Sequence, residues 1–401
     1  MKAVGIVVEY NPFHNGHLYH VQQTRKKTSA DCVIAVMSSS FTQRGEPAIV
    51  PKWERARMAL AGGVDLVVEL PYTFAVQTAE WFAQGAISIL DALFCEQLCF
   101  GSEDGSIEPF IKTAQLLVYE KEQHNEKVKQ YMQQGINYAK AYTLALHDIG
   151  HDTLDVSQPN NILGLHYVKA IIEQRSKMMP ETIQRTVAHY HDETLPANDN
   201  IASATSIRRF LQVSYDDVAR YVPHTTYETL QTYRHTYMTW HDWKKYFPFL
   251  KYRLLTMEVD DIQQIAEVEE GIEYRLKKAI IHATSFHDFL SAVKTKRYTW
   301  TRLQRICTHI LTNVTKKEIA KAIENKRATY VRPLAMNETG RAYLQEVKKR
   351  MTLPLVTSAK QMRHDPIYQI EKKATQAYFS ILPEPLCSEA LQREYKTPPL
   401  R

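Results

Sequence analysis

Short apolar runs alternate with amphipathic stretches through the first hundred residues, and this alternation restricts the fold more than any other feature of the chain. The apolar runs are AVGIVVEY (3–10), CVIAVMS (32–38), VDLVVELP (64–71) and QLCFGSE (97–103). Each is long enough for one buried strand, and stretches with helical periodicity separate them. Strands that alternate with helices predict βαβ units and a parallel sheet, so we expect an α/β fold.

Polar residues follow directly where these predicted strands end, at positions 9–17, 38–44 and 101–103. The carboxyl ends of parallel strands meet at one edge of a sheet, and ligands of such sheets bind beyond that edge. We therefore expect these three segments to contribute to one ligand site.

The remaining chain divides by its pattern into further segments. Residues 104–152 are polar and predicted to be helical, SQPNNILGLHYVKAII (157–172) predicts a turn and a helix, and TIQRTVAH (182–189) predicts a strand. ASATSIRRFL (202–211) predicts a helix start with Ser203 or Thr205 as its N-cap. We predict an α/β domain over 1–210, a helical domain over 211–325, and a small α/β segment over 326–401 with two strands and one helix.

Composition limits the class of protein. Of the 401 residues, 44% are hydrophobic and 23% charged, which is typical of a folded soluble protein. We see neither a membrane-spanning apolar run nor a signal-peptide core. The five cysteines are irregularly spaced without a C-x-x-C pair, which disfavours a disulfide framework or a zinc site and favours the cytoplasm. The net charge of +6 is a mild indication of a polyanionic partner.

The segment EYNPFHNGHLYH (9–20) places an H-x-G-H motif, His14 to His17, at a predicted strand-to-helix junction. A helix start offers unpaired N–H groups and a positive dipole end to a phosphate, and Gly16 allows close approach. Two histidines three residues apart can both reach that phosphate and stabilise charge on it. The alternative is a pair of solvated loop histidines beside a simple Asn-Gly turn.

A triphosphate needs a second binding element, and SATSIRRF (203–210) offers hydroxyls at a helix start followed by arginines. Its candidate phosphate ligands are Ser203, Thr205, Ser206 and Arg208. The alternative is an ordinary helix cap with surface arginines. Neither the G-x-G-x-x-G fingerprint of dinucleotide sites nor a G-x-x-x-x-G-K-[ST] loop is found in the sequence.

H-x-G-H followed later by Ser/Thr-x-x-Arg resembles the paired signatures of the nucleotidyltransferase superfamily with the HIGH-type motif, which transfers adenylyl groups from ATP. Longer stretches narrow the resemblance to the bacterial tRNA(Met) cytidine acetate ligase family. They are GIVVEYNPFHNGHLYH, FTQRGEPAIVPKWERARMAL, DLVVELP, FGSE, PNNILGLHYVKAI and SATSIR, with looser similarity in KRYTWTRLQRICTHIL and YVRPLAMNETGRAYL. Ser38-Ser39-Ser40 departs from the Ser-Gly-Asn or Ser-Gly-His expected before Phe41.

The resemblance implies a nucleotidyltransferase-like, Rossmann-type parallel sheet and a two-step reaction. ATP and acetate give acetyl-adenylate and pyrophosphate, with Mg²⁺ as the usual companion of the triphosphate. The wobble cytidine of elongator tRNA(Met) then takes the acetyl group, which gives N4-acetylcytidine and AMP. His14 and His17 become the catalytic candidates. The implied ATP contacts are Val7, Val8, Glu9, Tyr10, Asn11, Pro12, Phe13, His14, Asn15, Gly16, His17, Leu18, Tyr19, His20, Gly101, Asn160 (rather than Asn161) and Arg185.

Basic residues interleaved with aromatics indicate where RNA would bind. VKTKRYTWTRLQRI (293–306) sets Lys294, Lys296, Arg297, Arg302 and Arg305 around Tyr298 and Trp300. Residues 316–350, which include Arg332, add ten Lys and Arg against four Glu. The alternative for both stretches is a solvated helix with core aromatics. We further expect Lys52 to approach phosphates or RNA, and Arg55 and Arg57 to lie on a solvated helix face.

Two other functions are compatible with parts of this pattern. A small-molecule adenylyltransferase would use the same phosphate elements, but the large basic C-terminal half argues against it. A non-enzymatic RNA-binding protein with a relic nucleotide fold would not need both phosphate elements. We expect the acetate ligase activity, without a protein-bound metal site.

Overall fold

A computed structural model describes residues 1–136, 138–150, 154–185, 200–269 and 271–401. Its strands form a sheet in the order β5-β4-β1-β2-β3-β6, in which β1 to β5 are parallel and β6 is antiparallel to β3. The strands are β1 Ala3–Val8, β2 Cys32–Ser38, β3 Leu66–Leu70, β4 Gln97–Ser102, β5 Met179–Gln184 and β6 Pro333–Met336. The predicted α/β fold with its parallel sheet is confirmed.

Helices make up most of the remaining described chain, as the sequence pattern predicted. Those of the first half are α1 Asn15–Thr28, α2 Lys52–Ala61, α3 Tyr72–Ala75, α4 Ala79–Ala92, α5 Glu108–Tyr119, α6 Lys121–Gln133, α7 Tyr138–Ile149, α8 Pro159–Glu173 and α9 Ala204–Val213. The others are α10 His224–Tyr237, α11 Trp243–Thr256, α12 Val259–Gln264, α13 Ile272–His282, α14 Phe286–Val293, α15 Trp300–Thr312, α16 Lys316–Ala322, α17 Glu338–Val347, α18 Pro366–Phe379 and α19 Leu386–Lys396. Within the described ranges, no helix is both long and apolar enough to cross a bilayer.

The direction of strand addition reverses at β1. The chain adds β2 and then β3 on one side of β1, and it adds β4 and β5 on the other side. This reversal creates a crevice at the carboxyl ends of β1 and β4, where open α/β sheets bind ligands. The loop that follows β1 and Gly101 near the end of β4 both lie at this crevice.

Helices cover both faces of the sheet because its central strands are apolar on both sides. Alternate residues of β2 enter two different cores: Ile34 packs in the cluster that contains Leu90 of α4, and Ala35 packs in the cluster that contains Trp53 of α2. Gly5 allows α4 to approach β1 closely, since a Cβ there would lie 2.6 Å from the Leu90 methyl groups. The sheet is therefore held rigidly beneath the crevice.

A buried network of charges joins the C-terminal segment to the sheet and corrects two predictions. Lys52, 2% exposed, pairs with Glu371 at 3.1 Å and with Glu394 at 2.9 Å. Arg332, 4% exposed, pairs with Glu69 at 3.2 Å and with Glu394 at 3.0 Å. The predictions that Lys52 approaches phosphates or RNA and that Arg332 contacts RNA are wrong for this structure, because both side chains are enclosed by carboxylates.

The C-terminal segment differs from the prediction in a second respect. Its first predicted strand exists as β6, which completes the main sheet by pairing with β3. Its second predicted strand is reduced to an isolated bridge between Val331 and Leu355. Residues 186–189 of the predicted TIQRTVAH strand lie outside the described residues. The division into domains at 210 and 325 stays a prediction.

Candidate active site

A cavity of about 270 Å³ occupies the crevice at the carboxyl ends of β1 and β4. Most of the residues predicted to bind ATP line it, although they come from five separate stretches of the sequence. They are Val7, Val8, Glu9, Tyr10, Asn11, His14, Gly16, His17, Tyr19, His20, Gly101, Asn160, Arg185, Ser203, Thr205 and Arg208. The fold therefore brings the opening loop and the later Ser-Arg helix to one place.

Five of the predicted residues support the cavity without lining it: Pro12, Phe13, Asn15, Leu18 and Ser206. The Phe13 ring packs against Gly62, where a Cβ would lie 2.3 Å from its Cζ atom. The Asn15 amide donates to the backbone oxygens of Asn200 and Arg220, at 2.8 and 3.0 Å. These contacts hold the loop after β1 in place.

His14 and His17 form a reciprocal cap at the start of α1. The Gly16 N–H donates to His14 Nδ1 at 3.1 Å, and the His14 N–H donates to His17 Nδ1 at 3.3 Å. The two rings stack with their centroids 3.7 Å apart. Because both Nδ1 atoms accept, each neutral ring carries its proton on Nε2 and acts there as a donor.

The electrostatic setting keeps these histidines neutral. Burial, followed by the charges of Arg185 and Arg208, lowers the pKa of His14 to about 3. Burial also lowers the pKa of His17 well below its usual value, and it lowers the pKa of His20 to about 4 with help from Arg185. The cavity thus presents neutral N–H donors beside fixed positive charges, which is a favourable environment for an anion.

Helix α9 starts on the opposite wall with a hydroxyl cap. Ser203 Oγ accepts from the Ser206 N–H at 3.0 Å, so Ser203 is the N-cap and Thr205 is not. Arg208 Nη1 donates to the Asn11 backbone oxygen at 2.9 Å, and Nη2 pairs with Glu46 at 2.7 Å. Two helix starts and one guanidinium therefore border the same space.

The Pro-Asn-Asn sequence at the start of α8 has different roles for its two asparagines. Asn160 lines the cavity, and Arg185 Nη1 approaches its Oδ1 at 3.5 Å. Asn161 is buried and structural, since its Oδ1 accepts from the Glu103 N–H at 3.1 Å and its amide donates to Asp155. This placement supports Asn160 as the ligand contact.

Several lining residues were not among the individual candidates, although residues 38–44 were expected at the ligand site. Thr42, Gln43, Arg44 and Glu46 belong to a tight loop after β2, closed by a bridge between Phe41 and Pro47. Apolar side chains form another wall, namely Phe82, Phe100, Leu163, Tyr167 and Ile183, and Pro159, Gln184, Ile201, Ala202 and Ala204 complete the lining. For residues 42–46, the sequence signal was their position directly after the second predicted strand.

The position of Arg55 corrects a further prediction. It was expected on a solvated helix face, but it is fully buried beneath the site. Its guanidinium donates to the backbone oxygens of Glu9 at 2.6 Å and Val50 at 3.2 Å, and also to that of Ser39. Arg55 therefore links the loops after β1 and β2, and its contact with Ser39 uses the backbone oxygen and not the serine side chain. Arg57 is exposed, as predicted.

The predicted RNA-binding stretch lies beside the loop after β2. Gln304 Nε2 of α15 donates to the Arg44 backbone oxygen at 3.1 Å, and Thr308 Oγ1 donates to that of Gly45 at 2.7 Å. Lys296 and Arg297 are exposed, Lys294 is half-buried, and Trp300 is 46% exposed.

Three members of that stretch have structural partners. Arg305 is nearly buried and pairs with Glu267 at 2.7 Å, while Arg302 pairs with Glu269 at 3.0 Å. Tyr298 is buried, which agrees with the alternative in which the aromatic residues of this stretch belong to the core.

The sequence matches the family model described as HIGH Nucleotidyl Transferase over residues 1–394. A protein named tRNA(Met) cytidine acetate ligase from Anoxybacillus flavithermus is 95% identical over 401 residues, which are 100% of both chains. The chain belongs to the tRNA(Met) cytidine acetate ligase family. A relative with the same name from Geobacillus sp. is 54% identical over 403 residues, and the match covers 100% of both chains. The resemblance inferred from the motifs is confirmed.

Two solved structures are similar to this one over the whole chain. The apo crystal structure (form I) of Thermotoga maritima TmcAL is 30% identical with a TM-score of 0.93, covering 100% of this chain and 99% of that one. A second crystal structure of the same protein, bound with alpha-thio ATP (form II), is also 30% identical with a TM-score of 0.90 and the same coverage.

Proposed function

We propose that this protein is an ATP-dependent ligase that activates acetate as acetyl-adenylate and transfers the acetyl group to the wobble cytidine of elongator tRNA(Met). One observation carries the proposal. The H-x-G-H helix start and the Ser-x-x-Arg helix start border a single cavity at the point where the strand order reverses. The family membership supplies the acceptor, because the relatives carry that substrate in their names.

The triphosphate would lie between the starts of α1 and α9. Both helix starts direct N–H groups and positive dipole ends toward the cavity. The Nε2–H groups of His14 and His17 and the guanidiniums of Arg185 and Arg208 add donors from the sides. Gly101 lies near the end of β4 and Asn160 lies at the start of α8, and both would contact the nucleoside.

The first chemical step suits this set of groups. Acetate is already an anion near neutral pH, so its attack on the α-phosphate needs no base. It needs two negative reactants to be held together and aligned, which fixed donors and arginines accomplish. Mg²⁺ would accompany ATP as the usual partner of a triphosphate.

The tRNA would approach over the N-terminal end of α15. The exposed Lys296 and Arg297, with Lys294, would contact phosphates, and Trp300 would offer a stacking surface. Arg302 and Arg305 are less available because glutamates hold them. The hydrogen bonds from α15 to Arg44 and Gly45 would place a bound nucleotide near the cavity mouth. We therefore propose that the protein acts in the cytoplasm, where it would encounter its tRNA substrate.

The decisive experiment incubates the protein with radiolabelled acetate, ATP and Mg²⁺, with and without an elongator tRNA(Met) transcript. Acid-stable label in the RNA, with AMP and pyrophosphate as products, is the expected result. Adenylyl transfer to a phosphorylated small molecule with inert RNA would favour a small-molecule adenylyltransferase instead. Salt-sensitive RNA binding without turnover would favour a binding protein. Replacing C34 by U in the transcript provides the matched control.

A further inference from the structure

Acetyl transfer to cytidine requires a proton acceptor, and the cavity identifies one. When the N4 amine attacks the acetyl carbon, a C–N bond forms and the amine nitrogen must lose a proton. The C–O bond to the AMP phosphate then breaks, and the phosphate leaves with the electron pair. The proton must go to a group in the cavity or to water.

The two histidines are unsuited to this task. His14 Nδ1 and His17 Nδ1 are already occupied by the N–H groups of Gly16 and His14. Their Nε2 atoms carry the protons and can only donate. The Glu46 carboxylate also lines the cavity, but it is paired with Arg208 at 2.7 Å. His20 Nε2 is buried, and the burial that lowers the pKa of His20 to about 4 makes it a weak base.

Glu9 has the required geometry. It follows β1 directly and lines the cavity on the β2 side, where the loop 42–46 closes the site. The Gln43 N–H donates to Glu9 Oε1 at 2.6 Å and fixes the carboxylate. Arg55 holds the Glu9 backbone oxygen at 2.6 Å from beneath. Within the described ranges, no hydrogen bond reaches Oε2, which is left to face the cavity.

We infer that Glu9 Oε2 accepts the proton that the cytidine N4 amine loses as it attacks acetyl-adenylate. This inference rests on the proposed function. The carboxylate is ionised before the attack, becomes a carboxylic acid when the amide forms, and returns its proton to solvent after AMP leaves. Glu9 would act as a base only in the second step, because the first step moves no proton.

The charges around Glu9 are compatible with this role. The groups that face it are Arg44 and Glu46 from the loop after β2, Arg55 from α2, Arg208 from α9 and Tyr167 from α8. Burial raises the pKa of Glu9 above the usual range, although the Gln43 N–H and Arg44 oppose this. A carboxylate with a raised pKa is a stronger base than an ordinary one, and a base is most effective when its pKa approaches the working pH.

The variant Glu9→Gln separates this role from a structural one, because glutamine keeps the shape and still accepts from the Gln43 N–H. Three readouts are measured on the full chain: acetate-dependent exchange of pyrophosphate into ATP, acetohydroxamate formation with hydroxylamine, and single-turnover acetyl transfer to tRNA(Met). Exchange and hydroxamate formation report any contribution of Glu9 to ATP binding, and their loss should be at least about tenfold smaller than the loss of transfer, since hydroxylamine attacks an activated acetyl group without a base. Transfer to tRNA should fall about 100-fold or more.

The pH dependence provides an independent check. The wild-type transfer rate should rise as Glu9 ionises, and this limb should be missing in Glu9→Gln. Glu9→Asp retains a carboxylate, so it should keep the limb with a reduced rate. Equal losses in all three readouts, or undiminished transfer by Glu9→Gln, would overturn the inference. Absence of acetate-dependent exchange in the wild type would instead overturn the proposed function.

Discussion

Arg208 Nη1 donates to the backbone oxygen of Asn11 across 2.9 Å, and this contact ties the start of α9 to the loop after β1. The two residues lie 197 positions apart in the sequence. Their contact fixes the distance between the two helix starts that the triphosphate would bridge. The Arg208 side chain lines the cavity, and its Nη2 also pairs with Glu46 at 2.7 Å.

Arg208→Ala should weaken ATP binding strongly. It removes a positive charge and the contact that sets the width of the cavity, and hydrogen bonds to charged groups contribute about 1.5–3 kcal/mol. We expect the KM for ATP in pyrophosphate exchange to rise about 10- to 100-fold. Arg57→Ala, which removes an exposed arginine of α2, should leave it unchanged. Similar KM values for both variants would contradict the assignment.

His14→Asn and His17→Ala should abolish pyrophosphate exchange while tRNA affinity stays within about twofold. Asparagine is chosen at position 14 because its side chain can still cap α1, so that loss of activity reports loss of the Nε2 donor. Exchange assays and filter binding with tRNA(Met) measure the two properties. A parallel loss of RNA affinity would mean that the loop serves the RNA and not the nucleotide.

The buried histidines should make the fold less stable in mild acid. Burial lowers the pKa of His14 to about 3 and that of His20 to about 4, so between about pH 6.5 and 4 the unfolded chain binds protons that the folded chain does not. The contribution of these histidines to the free energy of unfolding is therefore fully present above about pH 6.5, and it is lost as the pH falls. Each such histidine contributes up to about 1.4 kcal/mol per pH unit. Urea titrations of His14→Asn should show a shallower decrease than wild type between pH 6 and 5.

Lys296→Ala combined with Arg297→Ala should weaken tRNA binding and flatten its salt dependence, while pyrophosphate exchange is unaffected. Loss of two phosphate contacts should reduce the slope of log K against log salt by about 1.4 to 1.8. The matched control replaces Lys121 and Lys129, two exposed lysines of α6, by alanine. An equal effect of both pairs would indicate general charge attraction and not a defined RNA surface.

Lys52→Ala should destabilise the fold by about 3–5 kcal/mol, because it leaves buried carboxylates without their cation. Glu69, Glu371 and Glu394 surround the ammonium group. Lys52→Ala combined with Glu371→Gln should recover part of the loss, since one fewer charge is then buried. Chemical denaturation measures the free energy of unfolding of the wild type, the single variant and the double variant. A loss below about 1 kcal/mol would show that water or rearrangement compensates the carboxylates.

Local patterns were sufficient for the framework of this protein. Short continuous apolar runs identified β1 to β4, and the alternation with helices indicated parallel pairing. The motifs at 14–17 and 203–208 were recognisable because a phosphate site at a helix start uses consecutive residues, so its chemistry is written in a short stretch. The preference for Asn160 over Asn161 came from the family resemblance, and the buried contacts of Asn161 support it.

Tertiary structure alone decided which charged residues are buried in ion pairs and which remain exposed. Lys52, Arg55, Arg332 and Arg305 look like surface residues in their helices and loops, but each is enclosed by oxygens from distant parts of the chain. The Lys52–Glu371 pair spans 319 residues and the Glu69–Arg332 pair spans 263. Whether a charge is buried depends on the partner that neutralises it, and sequence spacing carries no information about a partner so far away. The sequence placed residues 38–44 at the ligand site, but for the same reason it could not show that this loop contacts Glu9 and α15.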